Sequence, residues 1–89
     1  MAPFAGSSVP LSGNTITLGR SASNTVVLDD EFVSSHHARV YTDPATGKWA
    51  IEDLGSTNGT VVNQQRLNAP MILGSRVPVR IGATTFELR

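Results

Sequence analysis

The C-terminal stretch alternates apolar and polar residues in two runs. Val77, Val79 and Ile81 alternate with Arg76, Pro78 and Arg80; beyond Gly82-Ala83, Thr84, Phe86 and Leu88 alternate with Thr85, Glu87 and Arg89. A period of two puts one set of side chains on one face of a strand. The segment is therefore expected to fold as a hairpin with one face buried. Pro78 cannot donate a ladder hydrogen bond, so its strand is expected at a sheet edge or with a bulge.

The rest of the chain repeats this idiom. Thr15 to Leu18 and Thr25 to Leu28 are rich in β-branched residues and read as strands. Ala38 to Tyr41 and Lys48 to Glu52 flank Asp43-Pro44-Ala45-Thr46-Gly47, a turn-forming stretch that joins them as a hairpin. Val61-Val62 reads as a further strand, and apolar residues nowhere recur at helical spacing for three turns. Short strands separated by turns predict an all-β, two-sheet sandwich. With 89 residues, the chain has room for one domain, expected to span residues 1–89.

Composition narrows the chemistry. The formal net charge is zero, so long-range attraction to nucleic acid or an anionic membrane is not expected, and an anion must be caught by a local site. The absence of cysteine removes disulfides, thiolate metal sites and thiol nucleophiles, and fits a reducing cytoplasm. No apolar run approaches the roughly 20 residues of a membrane span. The expected setting is cytoplasmic, as a separate chain or as the soluble part of a larger or membrane-associated protein.

Three loop segments carry residues that pack poorly and hold anions well: Leu18-Gly19-Arg20-Ser21, Val33-Ser34-Ser35-His36-His37-Ala38, and Asp53 to Thr60. Each has an ordinary reading. Gly-Arg after a strand is a turn with a solvated charge, Ser-Ser before a strand satisfies local backbone groups, and Asn58-Gly59 is a hairpin signal. Together they supply what a dianionic phosphate needs. Arg20 offers a guanidinium, and Ser34, Ser35, Thr57 and Asn58 offer small hydroxyl and amide donors. Sandwich loops gather at the two ends, so distant segments can meet on one ligand.

In order and spacing, Gly19-Arg20, Ser34-Ser35-His36-His37-Ala38, and Gly55-Ser56-Thr57-Asn58-Gly59-Thr60 with Val61-Val62-Asn63 resemble the signature of the forkhead-associated (FHA) domain. The resemblance runs from about Val9 to Arg89 and looks most like bacterial, particularly actinobacterial, members. It implies a β-sandwich that binds phosphothreonine in loops at one end, takes part in Ser/Thr kinase signalling, and catalyses nothing. Residue by residue, it implies phosphate contacts for Arg20, Ser34 and Thr57, an assisting role for Ser35, and a grip on the peptide main chain for Asn58. It makes His37 a structural support of the serine block, with Gly19, Gly55 and Gly59 serving turns or close backbone approach. His36 is a candidate auxiliary contact to phosphate or peptide. A pocket for the threonine γ-methyl favours phosphothreonine over phosphoserine, one buried methyl contributing about 0.8 kcal/mol. The partners implied are phosphothreonine-containing proteins, either a kinase or its substrates. No cofactor, metal, nucleic acid or direct membrane contact is expected.

Two departures from the family pattern stand out. Asn63-Gln64-Gln65 follows Val62 where many members have Asn-Gly, so that turn is expected to differ. The loop there and residues around Asp30 to Val33 are the expected readers of positions after the phosphothreonine. Only Ala2-Pro3-Phe4-Ala5-Gly6 precedes the region of Val9. The first family strand is thus expected to be missing, as in a fragment or shortened reading frame, leaving an edge open beside the C-terminal hairpin.

Competing readings are weaker. Ser34 or Ser35 with His36 or His37 and Asp53 could form a hydrolase triad, but no nucleophile-elbow motif accompanies them. His36 and His37 with Asp29, Asp30 or Glu31 could bind a metal, but adjacent residues entering a strand point to opposite faces. Gly55 to Gly59 lacks the lysine and the following helix of a P-loop. The remaining alternative is a phosphate-independent structural or scaffolding sandwich.

Overall fold

The computed structural model describes residues 13–88, which form nine strands in two sheets. They are β1 (Thr15–Gly19), β2 (Val26–Val27), β3 (Ala38–Thr42), β4 (Trp49–Asp53), β5 (Thr60–Val62), β6 (Gln65–Arg66), β7 (Met71–Ile72), β8 (Val79–Ile81) and β9 (Thr84–Phe86). One sheet has the order β2-β1-β3-β4-β7 and the other β6-β5-β8-β9. Among the described residues there is no helix long and apolar enough to cross a membrane.

Alternation produces the sandwich. Ile16, Leu18, Ala38, Val40 and Ile51 project from the first sheet onto Val62, Val79, Ile81 and Phe86 of the second, and all are buried. Each fully buried large aliphatic side chain contributes roughly 1.5–3 kcal/mol. Leu28, Val33, Leu67, Leu73 and Leu88 close the core from the connections.

The β3–β4 and β8–β9 hairpins form where the alternation predicts them. The Thr25–Leu28 segment is shorter than expected. Only Val26–Val27 is a strand, and it runs parallel to β1, with Leu18 opposite Val26. The mutual bonds Thr25 N–H to Thr17 Oγ1 (2.9 Å) and Thr17 N–H to Thr25 Oγ1 (3.2 Å) hold it there.

The expectation for Pro78 is overturned. The strand it precedes, β8, lies inside its sheet between β5 and β9. Pro78 sits just before the first strand residue, where its missing N–H costs no ladder bond, and its carbonyl accepts from Asn63 N–H at 2.9 Å. The turn after Val62 does differ from Asn-Gly: Asn63 and Gln64 both have positive φ, 49° and 70°, giving a two-residue type I′ hairpin without glycine. The expectation of a missing first strand falls on residues outside those described; among the described residues β6 and β9 are the outer strands of the second sheet.

Candidate functional site

Register brings the three loops together. Leu18 pairs with Ala38 and Ala38 with Asp53, so the end of β1, the start of β3 and the end of β4 share one edge of the first sheet. Thr60 pairs with Ile81, so in the second sheet the start of β5 lies beside the end of β8 and its Gly82-Ala83 turn.

The Arg20 and Ser34 segments are joined through backbone. Arg20 N–H donates to Ser34 O at 3.0 Å and Ser21 N–H to Ser35 O at 3.1 Å. Gly19 makes this approach possible, because a Cβ there would collide with the Ser35 carbonyl oxygen. The Arg20 side chain is exposed and takes part in no ion pair among the described residues. Ser34 Oγ accepts the Thr57 N–H at 3.1 Å, which ties the second loop to the third. That bond uses a lone pair and leaves the hydroxyl proton available to an anion.

The third loop is organised by Asp53. Its carboxylate accepts the N–H groups of Gly55 and Ser56 (both 3.0 Å), the Ser56 hydroxyl, and the buried Thr60 hydroxyl at 2.8 Å. Burial pushes its pKa upward, but the Ser56 and Thr60 hydrogen bonds together outweigh this and hold it below the ordinary value. Ser56 Oγ in turn accepts Gly59 N–H at 2.9 Å. Gly55 and Gly59 take positive φ, 76° and 83°, as the turn demands. Asn58 Nδ2 donates to Phe32 O at 2.8 Å, leaving its Oδ1 and second amide hydrogen for a ligand.

His37 is fully buried beneath the loops. Nδ1 accepts Ser34 N–H at 3.1 Å, so Nε2 carries the proton and donates to Gly59 O at 2.8 Å. The ring links the serine block to the Asn58-Gly59 turn and does not line the hollow described next. His36 is exposed and does not line the hollow described next.

Arg20, Ser34, Ser35, Thr57 and Asn58 line one open hollow of about 360 Å³, with Glu31, Phe32 and Val33 completing its wall. It gathers a guanidinium, hydroxyls and a side-chain amide on one small, water-accessible volume, a donor set suited to a tetrahedral oxyanion. Glu31 is the acid on its rim. Ser34 and His37 do not form a nucleophile–base pair: His37 Nδ1 accepts the Ser34 N–H and Nε2 donates to Gly59 O, so neither ring nitrogen meets the Ser34 hydroxyl. Both ring nitrogens of His37 are occupied, which removes it as a metal ligand. Among the described residues no three His, Cys, Asp or Glu groups gather at a metal-binding distance.

Two further residues hold the site and were not singled out for this role from sequence. Asn24 Nδ2 donates to Ser21 O (2.9 Å) and Ser35 O (2.6 Å), clamping the Arg20 loop to the serine block. Asp30 accepts Phe32 N–H (2.9 Å), Ala83 N–H (2.7 Å) and the Thr84 hydroxyl (3.2 Å), so it bolts the hollow's wall to the β8–β9 turn. The Phe32 N–H is the main reason its pKa lies below the ordinary value. Asn24 follows the turn signal Ser21-Ala22-Ser23, and its spacing from Ser21 suits such a clamp; Asp30 is linked only through the tertiary fold.

The family model of the FHA domain matches residues 16–82, the span that contains all three loops. The chain belongs to the FHA-domain family. It is 39% identical over 86 residues to the FHA domain-containing protein FhaB of Mycolicibacterium smegmatis, a match covering 97% of this chain and 54% of that protein. The chain thus spans about half the length of the curated relatives it matches. Mycobacterium tuberculosis EmbR, solved in complex with a low-affinity phosphopeptide, superposes with a TM-score of 0.81 at 33% identity, covering 88% of this chain and 20% of EmbR. The FhaA FHA domain complexed with the intracellular domain of Rv3910 gives a TM-score of 0.85 at 27% identity, covering 96% of this chain and 90% of that one. FHA domains are interaction modules, and the two-sheet sandwich with its gathered loops is the fold shared with these structures.

Proposed function

We propose that this FHA domain binds phosphothreonine-bearing segments of partner proteins, with no chemical step, and that its loop hollow holds the phosphate. The observation that carries the reading is the convergence of the Arg20 guanidinium, free of ion pairs among the described residues, with the Ser34 hydroxyl on one open volume. Arg20 supplies charge-assisted hydrogen bonds, Ser34 donates its free proton, and Ser35 and Thr57 add hydroxyls beside them. Asn58 holds the main chain of the extended peptide through the amide groups left over from its bond to Phe32. The phosphopeptide complex of EmbR supports this reading by resemblance. A phosphothreonine is the product of a Ser/Thr protein kinase, so the partner is such a kinase or one of its substrates.

Isothermal calorimetry with matched peptides bearing phosphothreonine, phosphoserine or threonine tests it. A flanking degenerate library covers the unknown sequence preference. The expected result is binding to phosphothreonine, weaker binding to phosphoserine and none to threonine. A charged hydrogen bond contributes about 1.5–3 kcal/mol, so Arg20→Ala should weaken binding tenfold or more. Equal binding of the phosphorylated and plain peptides by the folded domain would overturn the proposal.

A further inference from the structure

One cross-strand row of the four-stranded sheet sets Arg66, Val61, Arg80 and Thr85 side by side. Val61 pairs with Arg66 on β6 and with Arg80 on β8, and Arg80 pairs with Thr85 on β9. Thr60 and Val62 face the core, so the period of two turns this row to the solvent face, and both arginines are exposed. One strand separates them, which puts their backbones about 10 Å apart. Neither forms an ion pair among the described residues. Two exposed guanidinium groups on one face, with no such pair to neutralise them, form a local cationic patch that suits an anionic side chain.

The row lies against the phosphate hollow. Phe32 and Asn58 line that hollow and also a second one of about 350 Å³, which continues to Val61 and Arg80. The Arg66 guanidinium covers Gly59, the residue after Asn58; a Cβ on Gly59 would meet Arg66 Nε at 2.6 Å. The arginine pair therefore lies beside Asn58, with Arg66 over Gly59 and Arg80 lining the second hollow. Asp30, the carboxylate behind this wall, is already engaged by Phe32, Ala83 and Thr84.

We propose that Arg66 and Arg80 read a second anionic side chain of the same bound peptide. The preferred ligand is then a phosphothreonine segment with a further negative group, an acidic residue or a second phosphate, a few residues away. This inference rests on the phosphothreonine reading above.

Fluorescence anisotropy tests it with a phosphothreonine peptide flanked by alanine. Asp, Glu or phosphothreonine is then placed at each of the four positions on either side. An acid at one position should tighten binding about three- to fivefold over alanine, the range of an exposed ion pair. That ratio should fall to about one in Arg80→Gln and shrink in Arg66→Gln. A gain for Asp and Glu identifies an acidic residue as the natural group; a gain for phosphothreonine alone identifies a second phosphate. If the parent peptide binds and no position favours an acid, or the gain survives in the double variant, this inference fails alone. If no phosphopeptide binds, the phosphothreonine reading fails and takes this one with it.

Discussion

Asn24 lies at the closest seam between the Arg20 and Ser34 loops, with its Nδ2 donating to two carbonyl oxygens and its Oδ1 buried without a partner. An orphaned acceptor is a cost that the two donor bonds must exceed. The amide is therefore retained for its donors. Asn24→Asp would aim a carboxylate at both carbonyls, and it should lower the unfolding free energy by about 1–3 kcal/mol, more than Asn24→Ala does. Chemical denaturation of both variants checks this; no measurable loss in Asn24→Ala would show that the donors are not what holds the seam. At this scale the residues lining the hollow were the legible ones. Arg20, Ser34, Thr57 and Asn58 stand in a spaced signature and line one hollow. Asn24 and Asp30 were not legible as clamps, because the partners that make them so, Ser35 for Asn24 and Ala83 and Thr84 for Asp30, are brought near only by the tertiary fold.

Among the elements, the long alternating runs were readable, and two of the three two-residue strands, β6 and β7, were not. Val79–Ile81 and Thr84–Phe86 carry enough periods of two to declare a buried face. Gln65–Arg66 and Met71–Ile72 carry one step each and are exposed, so no pattern marks them; β6 exists because the Asn63-Gln64 turn returns the chain onto β5. Pro78 misled for a related reason: its position relative to the first ladder bond, which depends on register, decides whether its missing N–H matters. The I′ turn also leaves room for improvement. Gln64 holds φ at 70°, a left-handed conformation that costs a residue with a Cβ roughly 1–2 kcal/mol, partly offset in glycine by its greater loss of chain entropy. Gln64→Gly should therefore raise stability by about 0.5–1 kcal/mol. A higher Tm by calorimetry is the expected result, and an unchanged or lower one would count against the turn assignment.

Across the whole molecule, the buried polar side chains share one task. Asn24, His37, Thr60 and Thr84 are the buried polar residues among those described, and each bonds a loop at the same end of the sandwich. A site held in this way is preorganised, so less binding energy is lost in ordering it. The same network makes stability acid-sensitive. Asp30 and Asp53 both have pKa values lowered in the folded state, so the unfolded chain takes up their protons first as pH falls. Their contribution is fully present above the unfolded carboxylate value near 4, and is lost as pH drops through the lower folded values. The Tm should hold steady from about pH 7 to 5 and fall below about 4, with a shallower fall in Asp53→Asn.

The central claim, that phosphate is held by the gathered loops, is tested most directly by amide chemical-shift mapping of the labelled domain during titration with a phosphothreonine peptide. The expected shifts concentrate at Arg20–Ser21, Ser34–His36 and Thr57–Gly59 and are absent with the unphosphorylated peptide. Shifts on the outer face of the five-stranded sheet, around Tyr41 and Ile72, that are equal for both peptides would contradict it and establish a phosphate-independent scaffold.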